Sequence, residues 1–214
     1  VLAARHLPVC APDLVPAANG LAATQFDDYR AQVIEACHAS VAADPDARMV
    51  LIGASFGGLL ALSVAAEVHA AALILINPMP PRGVIAKPLG KPYPALVPWG
   101  RERSIGGTRR ALPDADDATC LYAFRNWRDE SGLALEQARL GIAVEIPRCP
   151  ILIMASELDD DVPVVVSRAL ATRCSADFER LSGCSHVGPL LGVNAAHVAE
   201  RAAAWLHDRA AVPA

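Results

Sequence analysis

Hydrophobic positions along this chain follow two alternating patterns. Residues 49–52, 71–76 and 150–155 are continuous apolar runs of strand length, and residues 177–181 carry a weaker version. Between the runs, apolar residues recur at helical spacing, most clearly in the stripe Tyr29, Val33, Ile34, Cys37 and Val41. Unbroken apolar strands separated by helices predict an α/β fold with a mostly parallel sheet and helices on both faces. The first residues, 1–7, read as the end of a helix and 8–11 as a short strand stopped by Pro12-Asp13. Residues 14–24 read as a loop. Asp27 or Asp28 is placed to cap the next helix, which Asp44-Pro45-Asp46 closes. Helices at about 162–174 and 194–207 complete the alternation, with Trp205 and Leu206 docking the last one.

The pattern breaks between residues 80 and 146. Residues 80–113 hold seven prolines and five glycines and show no clear element, while 115–143 read as helical pieces around Asp129-Glu-Ser-Gly132. A connection of this length is a lid or a binding loop. The chain therefore reads as one domain, 1–214, with a lid inserted at about 80–146.

One stretch carries the sharpest local signal. The apolar run 49–52 enters Gly53-Ala-Ser-Phe-Gly57, and a small-residue helical pattern follows. Strand, sharp turn and helix, with Ser55 at the apex, is the context of a nucleophile elbow. Glycines at 53 and 57 suit a close approach of strand and helix, and the helix start aims free N–H groups at Ser55. A serine hydroxyl needs a base, and the base needs a third group to hold its tautomer. The run 150–155 ends in Ser156-Glu-Leu-Asp-Asp-Asp161, and the last strand is followed by Ser182-Gly-Cys-Ser-His186. Both loops fall at the carboxyl edge of the sheet, where open α/β folds bind ligands. Asp159, Asp160 and Asp161 are all candidates for the acid, and Asp161 could instead cap the helix beginning near Pro163. The other five histidines lie in or beside helical patterns.

Composition narrows the function classes. The 214 residues are 53% apolar and 20% charged, which is the make-up of a packed globule. The net charge is −4 and no basic–aromatic stripe appears, so nucleic acid is not an expected partner. No apolar stretch reaches the length of a membrane span, and no Gly-x-Gly-x-x-Gly opens a helix for a dinucleotide. Cys10, Cys37, Cys120, Cys149, Cys174 and Cys184 are scattered without zinc spacing. Most of them read as small buried residues, and a reducing, cytoplasmic compartment is expected. No cofactor or metal is expected, and a monomer or homodimer is.

Taken together, these residues resemble the α/β-hydrolase superfamily, in its esterase- and lipase-like, short-lidded form. The stretches that carry the likeness are Ala11-Pro-Asp-Leu14, Gly53-Ala-Ser-Phe-Gly-Gly58, Asn77-Pro-Met-Pro-Pro-Arg-Gly83, Asp159 with Val162-Pro163, and Gly183-Cys-Ser-His186. The resemblance implies Ser55 as nucleophile, His186 as base and Asp159, three residues before Val-Pro, as the acid. It implies the backbone N–H of Phe56 as one oxyanion donor. Two departures stand out. Ala54 occupies a position that is commonly His. The family's opening strand, with its His-Gly loop and second oxyanion donor, has no counterpart in the sequence. That comparison implies a further N-terminal segment of roughly 20 to 40 residues, whose strand would satisfy the backbone groups of strand 8–11 and the elbow strand. Direct pairing of 8–11 with 49–53 would contradict this, and a gap of about 10 Å between them would agree.

The leading functional expectation is a serine hydrolase acting on a small apolar carboxylic ester, thioester or lactone. Met79, Leu121, Phe124 and Trp127, with Phe56, are candidate pocket walls, and Arg82 and Arg125 could meet an anionic group on the substrate. The same three residues could also serve acyl transfer, carbon–carbon bond hydrolysis or cofactor-free perhydrolysis. A non-catalytic binding protein on the same fold is a third reading.

Overall fold

The computed structural model of the protein describes residues 8–210; the helical reading of residues 1–7 lies outside them. In chain order, α1 (Phe26–Ala43) leads into β1 (Val50–Ala54), α2 (Ser55–Ala65) and β2 (Ala72–Ile76). An insertion follows, with β3 (Leu96–Val97), α3 (Ile105–Ala111), α4 (Asp117–Asn126), β4 (Glu130–Ser131) and α5 (Gly132–Leu140). The chain returns through β5 (Ile151–Leu158), α6 (Val164–Cys174), β6 (Asp177–Ser185), the short α7 (Gly188–Leu191) and α8 (Ala195–Ala210). The main sheet has the order β1-β2-β5-β6, and every pair in it is parallel.

β2 explains why its run is apolar throughout. All five of its residues are buried. Leu73 and Leu75 pack with Ile151 and Ile153 of β5 against α1, α2 and α6. Ala72, Ile74 and Ile76 point the other way, joining Leu152 and Met154 against Val198, Ala202 and Leu206 of α8. With both faces covered, no position on the strand is free to be polar. Each fully buried Leu or Ile contributes about 1.5–3 kcal/mol. The expected parallel sheet with helices on both faces is thus present.

Three local expectations are corrected. Residues 8–11 form no strand: the segment is exposed and does not pair with β1. Val9 and Cys10 have strand-like character, but a strand is defined by its ladder, and no neighbour among the described residues offers one there. Among the described residues β1 pairs with β2 alone, and Ile52 is 43% exposed on it. The helix after the first loop is capped by Gln25, not by Asp27 or Asp28; Asp28 instead accepts the Gln25 N–H from inside the first turn (2.8 Å). Residues 80–113, which show no element in the sequence, contain β3 and α3. β3 is made by pairing with the distant β4, and α3 by the Ser104 hydroxyl accepting from Gly107 N–H.

The insertion is seated on the start of α1. Ser131 Oγ donates to the Thr24 carbonyl (2.6 Å), the Phe26 N–H donates to Gln137 Oε1 (2.8 Å), and Tyr29 Oη donates to Glu130 Oε1 (2.6 Å). Burial, together with that carboxylate, pushes the Tyr29 hydroxyl well above its ordinary pKa, so it stays a donor.

Candidate active site

β1 and α2 meet at Ser55, which the turn holds at φ +51°. That left-handed conformation is unfavourable for a residue with a Cβ, by about 1–3 kcal/mol, and the packing around it must hold it. The close approach falls at glycines 53 and 58. A Cβ on Gly53 would lie 2.3 Å from the Gly57 carbonyl oxygen, and one on Gly58 would lie 2.9 Å from Pro78 Cβ. A Cβ on Gly57 would meet nothing within 4 Å, so the sequence expectation is right for Gly53 and misplaced for Gly57.

Three loops at the carboxyl edge of the sheet converge on this turn. His186, just past the end of β6, places Nε2 2.8 Å from Ser55 Oγ. Its Nδ1 lies 2.7 Å from Asp159 Oδ2. Asp159 follows β5, and its side chain is fully buried while that of His186 is 17% exposed. The other oxygen of Asp159, Oδ1, accepts from the backbone N–H groups of Asp161 (2.9 Å) and Val162 (2.8 Å). Of the three adjacent acids, Asp159 is therefore the one bonded to the imidazole. Asp160 and Asp161 are exposed, and no side chain caps α6. Asp159, Asp161 and His186 each bring one donor atom within 4.8 Å of the others; the facing atoms of Asp159 and His186 are already bonded to each other. Burial pulls the His186 pKa down. The Asp159 hydrogen bond and the charges of Asp159 and Asp161 outweigh it, so the imidazole sits above the ordinary histidine value.

An unforeseen residue ties these loops together. Asn77 ends β2 at φ +47° and is 1% exposed. Its Nδ2 donates to the His186 carbonyl (2.7 Å) and to Ser156 Oγ (2.8 Å), and its Oδ1 accepts the Ser156 N–H (2.7 Å). One side chain thus fixes the base's loop and the strand leading to the acid. The sequence signal was an Asn-Pro closing a buried strand, and Asn tolerates the left-handed conformation better than most residues.

The expected walls are dispersed. Phe56 packs with Phe26, Tyr29, Leu59, Leu60 and the buried Met79, meeting the Phe26 and Tyr29 rings edge-on at 5.6 and 5.9 Å. Its N–H lies at the head of α2, where helices leave donors without intrahelical partners. Phe124 lies beneath the Arg103 guanidinium, and Leu121 is 41% exposed on α4. Trp127 Nε1 donates to Thr108 Oγ1 (3.0 Å). Its ring helps line a cavity of about 430 Å³ with Tyr29, Leu14 and Arg103. Ser55, Phe56 and His186 do not line that cavity; Tyr29, which does, meets the Phe56 ring edge-on. Arg82 Nε donates to the Gly141 carbonyl (3.2 Å), and Arg125 is exposed in the last turn of α4. No helix among the described residues is long and apolar enough to cross a membrane.

Known structures share this architecture. A pyrethroid hydrolase from Sphingobium faniae JZ-2 is 18% identical, with a TM-score of 0.65 over 99% of this chain and 89% of its own. Est1E from Butyrivibrio proteoclasticus is 19% identical, with a TM-score of 0.59 over 88% of this chain and 72% of its own. A polyneuridine aldehyde esterase mutant is 16% identical, with a TM-score of 0.59 over 84% and 79%. No curated protein matches the chain in sequence. The sequence model of the alpha/beta hydrolase family matches residues 1–204. With that match running along nearly its whole length, the chain belongs to the alpha/beta hydrolase family.

Proposed function

We propose that this chain is a serine hydrolase that cleaves a small, largely apolar carboxylic ester, thioester or lactone through an acyl-enzyme. The observation that carries the reading is the continuous relay from Ser55 Oγ to His186 Nε2 and from His186 Nδ1 to Asp159 (2.8 and 2.7 Å). Both are bonding distances for a base and its orienting acid. Ser55 attacks the acyl carbon as His186 takes its proton. His186 then gives that proton to the leaving alkoxide or thiolate, which departs as an alcohol or thiol, and Asp159 steadies the imidazolium. The Phe56 N–H faces the developing oxyanion. Water, activated by the same histidine, releases the acid and restores Ser55. In this reading residues 80–146 act as a lid over the acyl and leaving groups. The apolar surroundings of Phe56 and Met79 suit an apolar substrate, and the fold's likeness to a pyrethroid hydrolase and to polyneuridine aldehyde esterase supports ester chemistry.

A fluorophosphonate probe and p-nitrophenyl butyrate test the proposal together. The expected result is covalent labelling at Ser55 and turnover of the ester, both lost in Ser55→Ala with the fold intact. Labelling that persists in Ser55→Ala, or none in the unaltered chain, would overturn it.

A further inference from the structure

The loop that carries His186 is held from a second side, by the insertion. Asp114 lies between α3 and α4, at half-buried exposure. Its Oδ2 accepts the backbone N–H of Ser185 (3.0 Å), and its Oδ1 accepts the Ser185 hydroxyl (2.6 Å). Ser185 is 4% exposed and directly precedes His186. The same hydroxyl accepts the N–H of Gly188 (3.2 Å), and the Asp114 carbonyl accepts the N–H of Val193 (2.9 Å). One acidic residue therefore grips the histidine loop at its entry and at its exit.

Packing and sequence fit this grip. A Cβ on Gly188 would lie 1.9 Å from Asp114 Oδ2, and one on Gly192 would lie 2.9 Å from it. The loop can approach the carboxylate only because both positions are glycine. Around them, Leu112, Cys120 and Ala123 of the insertion pack against Val187 and Leu191, so an apolar contact flanks the bonds to Asp114. Hydrogen bonds to an ionised carboxylate are about twice as strong as neutral ones. Asn77 holds the carbonyl of His186 from the sheet side, and Asp114 holds the preceding residue from the insertion side.

We propose that Asp114 is a positioning residue for His186, through which the insertion sets the reach of the base to Ser55. The insertion is then part of the catalytic frame and not only a cover over the substrate. This inference rests on the serine hydrolase reading above. A base misplaced by about 1 Å loses on the order of 100-fold in rate, so loosening the loop acts on turnover more than on binding.

The test uses Asp114→Asn, which keeps shape but loses the second acceptor, and Ser185→Ala, which removes the hydroxyl and leaves the backbone bond. His186→Ala and Ser55→Ala serve as references. Measured are kcat and KM for p-nitrophenyl butyrate, the fluorophosphonate labelling rate, the thermal midpoint, and the low-field proton resonance of His186 Nδ1–H. Expected for Asp114→Asn are a kcat and a labelling rate that fall together by about 10- to 100-fold. KM should stay within about twofold, the fold should be retained, and the Nδ1–H resonance should weaken. Ser185→Ala is expected to show the same pattern, smaller, and it carries the test if Asp114→Asn does not fold. Normal kcat and an unchanged resonance in both variants, with His186→Ala inactive, would overturn the role of Asp114 and leave the hydrolase reading standing. Absence of Ser55 labelling in the unaltered chain would remove that reading itself, and this inference with it.

Discussion

Replacing Asn77 by Ala is expected to cost more than any single surface change in this protein, and its size can be worked from the contacts. The substitution removes both Nδ2 bonds and the Oδ1 bond. Ser156 is fully buried, so its N–H and its hydroxyl are left without a partner and without water. Each such orphan costs about 1–3 kcal/mol. The backbone at φ +47° adds about 1 kcal/mol more once Asn gives way to Ala. The sum is about 3–7 kcal/mol, against a typical domain stability of about 5–15 kcal/mol. Urea unfolding followed by circular dichroism measures it. Asn77→Gly separates the two contributions, because it loses the same bonds while accepting the backbone angle; it should be about 1 kcal/mol milder. Asn77→Asp keeps an acceptor for the Ser156 N–H but turns an oxygen toward the His186 carbonyl, so it should lose more turnover than stability. A loss below about 1 kcal/mol for Asn77→Ala, or no advantage for Gly over Ala, would refute the reasoning.

Two further predictions follow from the turn and from the base. Gly53→Ala forces a methyl onto the Gly57 carbonyl and should destabilise by about 1–3 kcal/mol, whereas Gly57→Ala meets open space and should gain up to about 1 kcal/mol; urea midpoints of the two variants give the contrast. In the pH profile of kcat/KM, activity requires neutral His186, so the acid limb should lie above the ordinary histidine value of about 6.5. Asp159→Asn should move that limb down and reduce kcat by about 10³- to 10⁴-fold. The stability linkage runs the opposite way. A histidine whose folded pKa is raised contributes stability that is fully present below its unfolded pKa and is lost as pH rises through the folded one. Protonation therefore favours the fold while it silences the base.

Much of this arrangement was legible from pattern alone. β2 and β5 read as strands because both of their faces are covered, which leaves an apolar run with no ambiguity of period. Ser55, the acidic turn and His186 fell in order at one edge, because the ends of parallel strands all point that way. The choice among Asp159, Asp160 and Asp161 could not be read from residue type. It depends on which carboxylate the turn aims at Nδ1, and Asp159 Oδ2 is the one at 2.7 Å. β3 was hidden among prolines because two residues acquire a strand only from a distant partner, here Glu130 and Ser131. Residues 8–11 erred in the other direction, with strand-like side chains and no ladder. Asn77 carried only the weak signal of an Asn-Pro closing a buried strand, and Asp114 carried none, since the role of each exists only once separate loops have met.

The strained turn at Ser55 has a consequence for how this molecule ages. It holds a residue with a Cβ at φ +51°, and such a backbone persists only while the packing around it is intact. Local openings draw first on the segments that are least well held, so the turn should relax before the buried centre of β2 and β5. Ser55 then drifts from His186 while most of the core remains assembled. Loss of activity on warming is accordingly expected to run ahead of loss of helix signal, with a half-life set by one turn rather than by the whole fold.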